Sequence, residues 1–157
     1  KLKFNFTKKK NVKIQYLYVK KNSNAIKRNK GIKFAVGKNL ILIDDDCLPE
    51  KNFISDYIKL FKKLKNNEIL CGSVKYLKNK IKSENFIRYR QSRHFISYNN
   101  NLNRKINLKA SKVVTMNMGM KNSSLLKKTN YFNKKFGGYG FEDYEFGFRL
   151  IKIQLKI

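Results

Sequence analysis

The chain has no tryptophan, one proline, one histidine and two cysteines among 157 residues, and only ten carboxylate side chains against 37 lysines and arginines. Each scarcity excludes something. Cys47 and Cys71 give neither a zinc-ligand spacing nor a disulfide framework. Cysteine usage of this kind fits a cytosolic protein. No apolar run approaches the roughly 18 residues of a membrane span, and no signal peptide is visible. No repeat and no low-complexity linker breaks the chain, so we expect one domain over residues 1–157. The chain opens at Lys1 without an initiator methionine and stops at Ile157 inside an apolar-periodic stretch, and we expect that domain to be partial.

What is abundant is lysine. The formal net charge is +27, and only six of the cations are arginines. A basic chain suggests nucleic acid. Arginine is the usual reader of base edges, however, and these lysines are spread along the chain rather than gathered in a stripe. Asparagine and isoleucine are abundant as well, which reads as general compositional drift. A basic surface still attracts a nucleotide-sugar diphosphate or an anionic lipid head group. Drift is the reading taken, with peripheral association at the inner face of a membrane as the alternative, and specific nucleic-acid binding is not expected.

With 41% hydrophobic residues the chain can bury a core. Residues 12–19, VKIQYLYV, read as a strand. Residues 25–37 read as a helix, capped by Ser23 or Asn24 and ended by Gly37. Residues 40–43, LILI, form a continuous apolar run, the mark of a strand buried on both faces. Helical spacing returns over 50–65. Strands are expected at 68–77 and 112–120, a short helix at 122–128 and a longer one from Glu142. The stretch 79–110 is polar, basic and partly helical near 84–97. Alternation of this kind argues for an α/β fold with a mixed, mostly parallel sheet.

The scarce carboxylates are clustered. Asp44, Asp45, Asp46 and Glu50 lie within seven residues, and Glu142, Asp143 and Glu145 within four, so seven of the ten occupy two short segments. Three adjacent aspartates at the end of a buried strand repel one another unless a cation is shared. Ligands of open α/β sheets bind outside such strand ends. Asp44 and Asp46 point to the same side of an extended backbone, and carboxylate oxygens suit Mn2+ or Mg2+ bridging to a diphosphate. The alternative is an acidic turn capping the helix after Pro49. The second cluster follows a loop rich in glycine, with Gly137, Gly138 and Gly140 around Tyr139, and then Phe141. Acidic residues there would suit any helix N-terminus. They would equally suit a general base beside an aromatic sugar platform.

Two segments resemble family 2 glycosyltransferases of GT-A fold, the nucleotide-diphospho-sugar transferase fold. Residues 25–54 match in Ala25, Arg28, Asn29, Gly31, Asp44, Asp46 and Pro49. Residues 116–150 are similar to the galactosyltransferase-like form, through Gly138, Tyr139, Gly140, Phe141, Glu142, Asp143, Arg149 and Leu150. The resemblance implies roles. Asp46 would ligate the cation on the diphosphate, Asp44 would contact the metal or ribose, and Asp45 would lie on the same nucleotide-sugar side. Arg28 and Asn29 would help hold the nucleotide, and Asn117 and Gly119 would line the donor-sugar site. Asp143 would be the catalytic base, with Glu142, Tyr139 and Gly138 binding the acceptor. The family's opening strand–helix–strand has no counterpart before Lys1, so the fold is expected to be N-terminally truncated, and the fragment inactive by itself.

The implied reaction is metal-dependent transfer of a hexose, with inversion, from a nucleotide-diphosphate sugar to a saccharide or lipid-linked saccharide. Such chemistry belongs to cell-surface polysaccharide or glycolipid synthesis. One alternative is a non-catalytic basic module that binds nucleic acid or anionic lipid on a degenerate transferase-like fold. Another is a nucleotidyl- or phosphotransferase, which has no need of a sugar platform beside Glu142 and Asp143. His94 lies in a basic aromatic stretch with Arg88, Arg90 and Arg93. It reads as a packing or solvent histidine, with a metal or acceptor contact as the alternative, and the stretch suits a phosphate-bearing acceptor or membrane surface.

Overall fold

The computed structural model describes residues 12–94, 109–137 and 140–153. Helix α1 (Asn24–Phe34) begins at Ser23, whose hydroxyl accepts from the Ile26 N–H and donates to the Phe136 carbonyl at 2.9 Å. The helix ends at Phe34, short of Gly37. Its terminus is closed from elsewhere: the Asn122 amide donates to the carbonyls of Ala35 and Gly37 at 3.4 and 3.3 Å. Carbonyls left without a partner at a helix end need such a donor, and here a residue far along the chain supplies it.

Strand β1 (Asn39–Ile43) is followed by α2 (Phe53–Lys63) and the short β2 (Ile69–Cys71). Two exposed helices, α3 (Lys78–Ser83) and α4 (Asn85–His94), pack on each other. A 3-10 turn (Ala110–Lys112), β3 (Asn117–Lys121), α5 (Ser124–Lys128) and α6 (Glu142–Lys152) complete the described residues. No helix among them is long and apolar enough to cross a membrane.

The sheet corrects one expectation. Its order is β1-β3-β2, and both outer strands pair antiparallel with β3. β1 and β2 therefore run the same way, as a strand–helix–strand crossover requires, but β3 lies between them. The described sheet is antiparallel at every pairing, where a mostly parallel one was expected. Residues 12–19 form no strand, because the described residues offer them no partner. The strand expected over 68–77 stops at Cys71: after the Gly72 N–H bonds the Asn117 carbonyl at 2.8 Å, β3 has no further residue to pair with. β3 starts at Asn117 rather than near Lys112, because Ala110–Lys112 form the 3-10 turn instead.

Strand periodicity sorts the side chains onto two faces. Leu40, Leu42, Met118, Met120, Ile69 and Cys71 face a core shared with Ala25 and Ile32 of α1 and Phe146 and Leu150 of α6. Ile41 and Leu70 face Tyr57, Phe61 and Leu64 along α2. The apolar LILI run is thus covered on both sides over Leu40–Leu42, while Ile43 at its carboxyl end is exposed, short of the full burial its composition implies. Phe146 and Leu150 are fully buried, and each contributes about 2 kcal/mol to holding α6 against the sheet.

Candidate active site

Because β1 and β2 run in the same direction, their carboxyl ends lie together at the edge where β3 begins. Asp44 leaves β1 there. Asp44–Cys47 make a turn closed by the Cys47 N–H on the Asp44 carbonyl at 3.2 Å, and it leaves Asp45 and Asp46 exposed and Asp44 half-buried. The Cys47 thiol lies 3.9 Å from Asp46 Oδ1. Burial pushes that thiol above its ordinary value, and the charges of Asp46 and Asp44 add to the shift.

The second acidic segment reaches the same place from the far end of the chain. Gly140 and Phe141 both adopt left-handed backbone, at φ +95° and +66°. That conformation is ordinary for glycine but costs a non-glycine residue roughly 1–2 kcal/mol. It turns the chain sharply into α6, whose first two residues are Glu142 and Asp143. Glu142 is buried and Asp143 half-buried.

Arg28 of α1 joins the two segments. Its Nη2 donates to Asp44 Oδ1 at 3.1 Å and its Nη1 to Glu142 Oε1, while the guanidinium lies 5.7 Å from the centre of the Phe132 ring. The Glu142 side chain is only 4% exposed, and its second oxygen is buried without a hydrogen-bond partner among the described residues. Asp143 accepts the Tyr144 N–H at 2.9 Å. Burial holds its carboxyl above the usual range and the neighbouring Glu142 charge adds to this, against the Tyr144 N–H and the Arg28 charge. Asp143 also acts on the end of β2. The Cys71 thiol is pushed up to about 11, mainly by burial, and the Asp143 charge reinforces the shift.

On the sheet's other face Tyr57 reaches across to the same edge. Its hydroxyl donates to Asn117 Oδ1 at 2.6 Å, and Asn117 Nδ2 donates to the Ser73 carbonyl at 3.1 Å. Two glycines make this possible. A Cβ on Gly119 would lie 2.3 Å from the Tyr57 ring, and one on Gly72 would lie 2.2 Å from Asn117 Nδ2. The Ser73 hydroxyl is buried without a partner among the described residues.

The expected residues therefore separate. Arg28, Asp44, Glu142 and Asp143 converge. Asp45 and Asp46 sit beside them on the open turn, and Asn117 stands at the strand edge. Asn29 is committed elsewhere: its amide bonds both the carbonyl and the N–H of Phe132, at 2.7 and 2.8 Å. Gly119 faces α2, where it seats the Tyr57 ring. Glu145 leaves its cluster for Arg149, which it pairs through both carboxylate oxygens. Gly138 and Tyr139 lie outside the described residues, as does the side chain of His94. The helical spacing over 50–65 singles out neither Tyr57 nor its role, and nothing in the sequence marks Ser73. A tyrosine in a buried stripe still needs a partner for its hydroxyl, and that was the available signal for Tyr57.

Beyond Asp143, Phe136, Phe141, Tyr144 and Phe148 line an open groove of about 490 Å³ along the outer side of α6. No group of three His, Cys, Asp or Glu side chains able to hold a metal occurs among the described residues. The donor set at the turn nonetheless suits a hard cation of one kind. Such a cation takes one or two carboxylates from the protein and completes its shell with substrate phosphate and water.

In comparison with known proteins, the sequence model of a family described as glycosyl transferase family 2 matches residues 5–128. No curated protein matches the chain.

Proposed function

The chain belongs to glycosyl transferase family 2, and from that premise we propose that it moves a hexose from a nucleotide-diphosphate sugar to an acceptor hydroxyl with inversion. The observation that supports this best is the convergence at Arg28. Residues 16 and 114 positions away along the chain, Asp44 and Glu142, meet on one guanidinium at the sheet's ligand-binding edge. A transferase needs a donor-side acidic group and an acceptor-side base facing one cleft.

The family match ends before α6, so the base is argued from geometry and charge. Asp143 is half-buried, next to a second carboxylate, and its proton affinity is raised by that burial. A base whose pKa moves toward the working pH is a better proton acceptor. In the proposed step the acceptor hydroxyl oxygen forms a bond to the anomeric carbon while the carbon–oxygen bond to the diphosphate breaks. The proton passes to Asp143, and the nucleoside diphosphate leaves with the bonding electron pair. No covalent enzyme intermediate is required.

Asp46 and Asp44 would hold Mn2+ or Mg2+, whose charge offsets that of the leaving diphosphate. Asp45 lies on the same exposed turn and would face the nucleotide-sugar. Asn117, oriented by Tyr57, would contact the donor sugar. Glu142 would orient the acceptor beside Asp143, and the aromatic groove along α6 suits the apolar C–H faces of a saccharide. A lipid-linked saccharide, used at a membrane face for polysaccharide or glycolipid synthesis, fits the basic chain. The deciding experiment is Asp143→Asn in the intact protein. Transfer should be abolished while donor binding is retained; unaltered turnover would remove Asp143 from the mechanism.

A further inference from the structure

We infer that Arg28 is a positioning residue that couples the donor-side carboxylate Asp44 to the acceptor-side carboxylate Glu142, so that occupancy at one changes the hold on the other. The inference rests on the donor-side reading of Asp44 given above. It assigns Arg28 a role distinct from direct contact with the nucleotide.

Three observations carry it. The guanidinium divides its donors between two segments that share no other ion pair among the described residues: Nη2 to Asp44 and Nη1 to Glu142. Its seat is rigid. The Phe132 ring beneath it is buried, the Phe132 backbone is bonded at both polar atoms by Asn29, and the ring packs 4.4 Å from that of Phe146 in α6. Lastly, Glu142 Oε2 is buried and unpartnered among the described residues, so the ion pair with Arg28 is what compensates that charge.

A guanidinium has five N–H donors in a planar fork and can hold a carboxylate by both oxygens. Here the fork is shared between two carboxylates. A cation that arrives on Asp44 with a diphosphate competes with Nη2. The donor so released has an acceptor waiting in Glu142 Oε2, one residue from Asp143. Binding at the open acidic turn thereby tightens the hold on the buried one. By linkage the reverse is also true: whatever weakens the pull of Glu142 leaves Arg28 more firmly on Asp44 and opposes the incoming cation.

The test is a double-variant cycle in the intact protein. UDP and GDP, each with Mn2+, are titrated calorimetrically onto the parent, Glu142→Gln, Arg28→Gln and the combined variant, and each melting temperature is recorded. Glu142→Gln should weaken nucleotide binding roughly fivefold or more, the usual scale of coupling between sites. The same substitution in the Arg28→Gln background should change affinity less than about twofold. In the melting series, Arg28→Gln should be the least stable, because it strands a buried carboxylate, and adding Glu142→Gln should recover stability. If Arg28→Gln does not fold, folding of the combined variant is itself the recovery expected.

An unchanged affinity in Glu142→Gln, or an equal change with and without Arg28, would overturn the coupling. Additive losses of melting temperature would do the same. A parent protein that binds neither nucleotide with Mn2+ counts against the transferase reading instead, and the melting cycle then decides the bridge by itself.

Discussion

The two acidic segments share a concentration of carboxylates and have opposite surroundings. Asp44–Asp46 occupy an exposed turn after a strand, with one carboxylate half-buried and two in solvent. Glu142 and Asp143 open a helix packed into the core, one buried and one half-buried. The difference teaches what each can do. An open turn offers its carboxylate oxygens to a cation that comes with its ligand. A buried pair in a chain of net charge +27 is kept at a desolvation cost, and that cost raises a carboxyl toward use as a base. Glu145, three residues into the same helix, shows the contrast within one element. Paired with Arg149, which also donates to the carbonyls of Thr129 and Tyr131, it closes a surface strut beside the aromatic groove of α6, away from Arg28 and Asp44.

The comparison breaks most visibly at Asp143. Asp143→Asn should lower transfer by about 10²- to 10⁴-fold, the usual contribution of a general base, with nucleotide affinity nearly unchanged. Its effect on stability has a definite sign. Burial raises the folded-state pKa of Asp143, so the stability this group contributes is present at acid pH and lost as pH rises through that value. The asparagine variant should therefore melt no lower than the parent at neutral pH. A large fall in melting temperature would mean that the carboxylate is a structural group.

Asp46→Asn should do the reverse on the exposed side. Cation-dependent nucleotide binding should fall on the order of tenfold or more, since even indirect partners of a metal ligand are worth that much. Stability should hardly move, and calorimetry with and without Mn2+ measures both halves. Gly119→Ala tests the middle of the central strand, where the Tyr57 ring is seated. The added methyl meets the Tyr57 ring, and overpacking of this kind costs about 1–3 kcal/mol, readable by denaturant titration. Tyr57→Phe should cost less, about 1 kcal/mol for one hydrogen bond, and it leaves Asn117 held only through Nδ2 on the Ser73 carbonyl. The mildest effect is on the pH profile. With Asp143 as the proposed base, transfer should fall as pH drops through an apparent pKa above the ordinary value of about 3.9. An acid limb at or below that value would contradict the burial argument.

Much of this was legible in the amino-acid order. The apolar run Leu40–Ile43 ending in aspartates, the helix α2 and the acidic start of α6 all lie where periodicity and punctuation indicate. These features are local, and local propensity and spacing suffice for them. The position of β3 between β1 and β2 was not legible. A β-strand fits beside either partner until tertiary packing chooses, so the strand–helix–strand alternation suggested adjacent parallel strands. The role of Asn29 was hidden for a similar reason, since its partner Phe132 lies 103 residues away.

The sequence by itself determined where the negative charge is concentrated, which strand carries it and which helix opens with it, because charge and hydrophobic period are properties of short segments. Only the tertiary structure decided which carboxylates meet. Arg28 reaches Asp44 and Glu142, while Asn29, Gly119 and Glu145 turn to structural partners. The physical reason is that burial and long-range pairing depend on how α1 and α6 cover one face of the sheet, and no spacing along the chain encodes that contact.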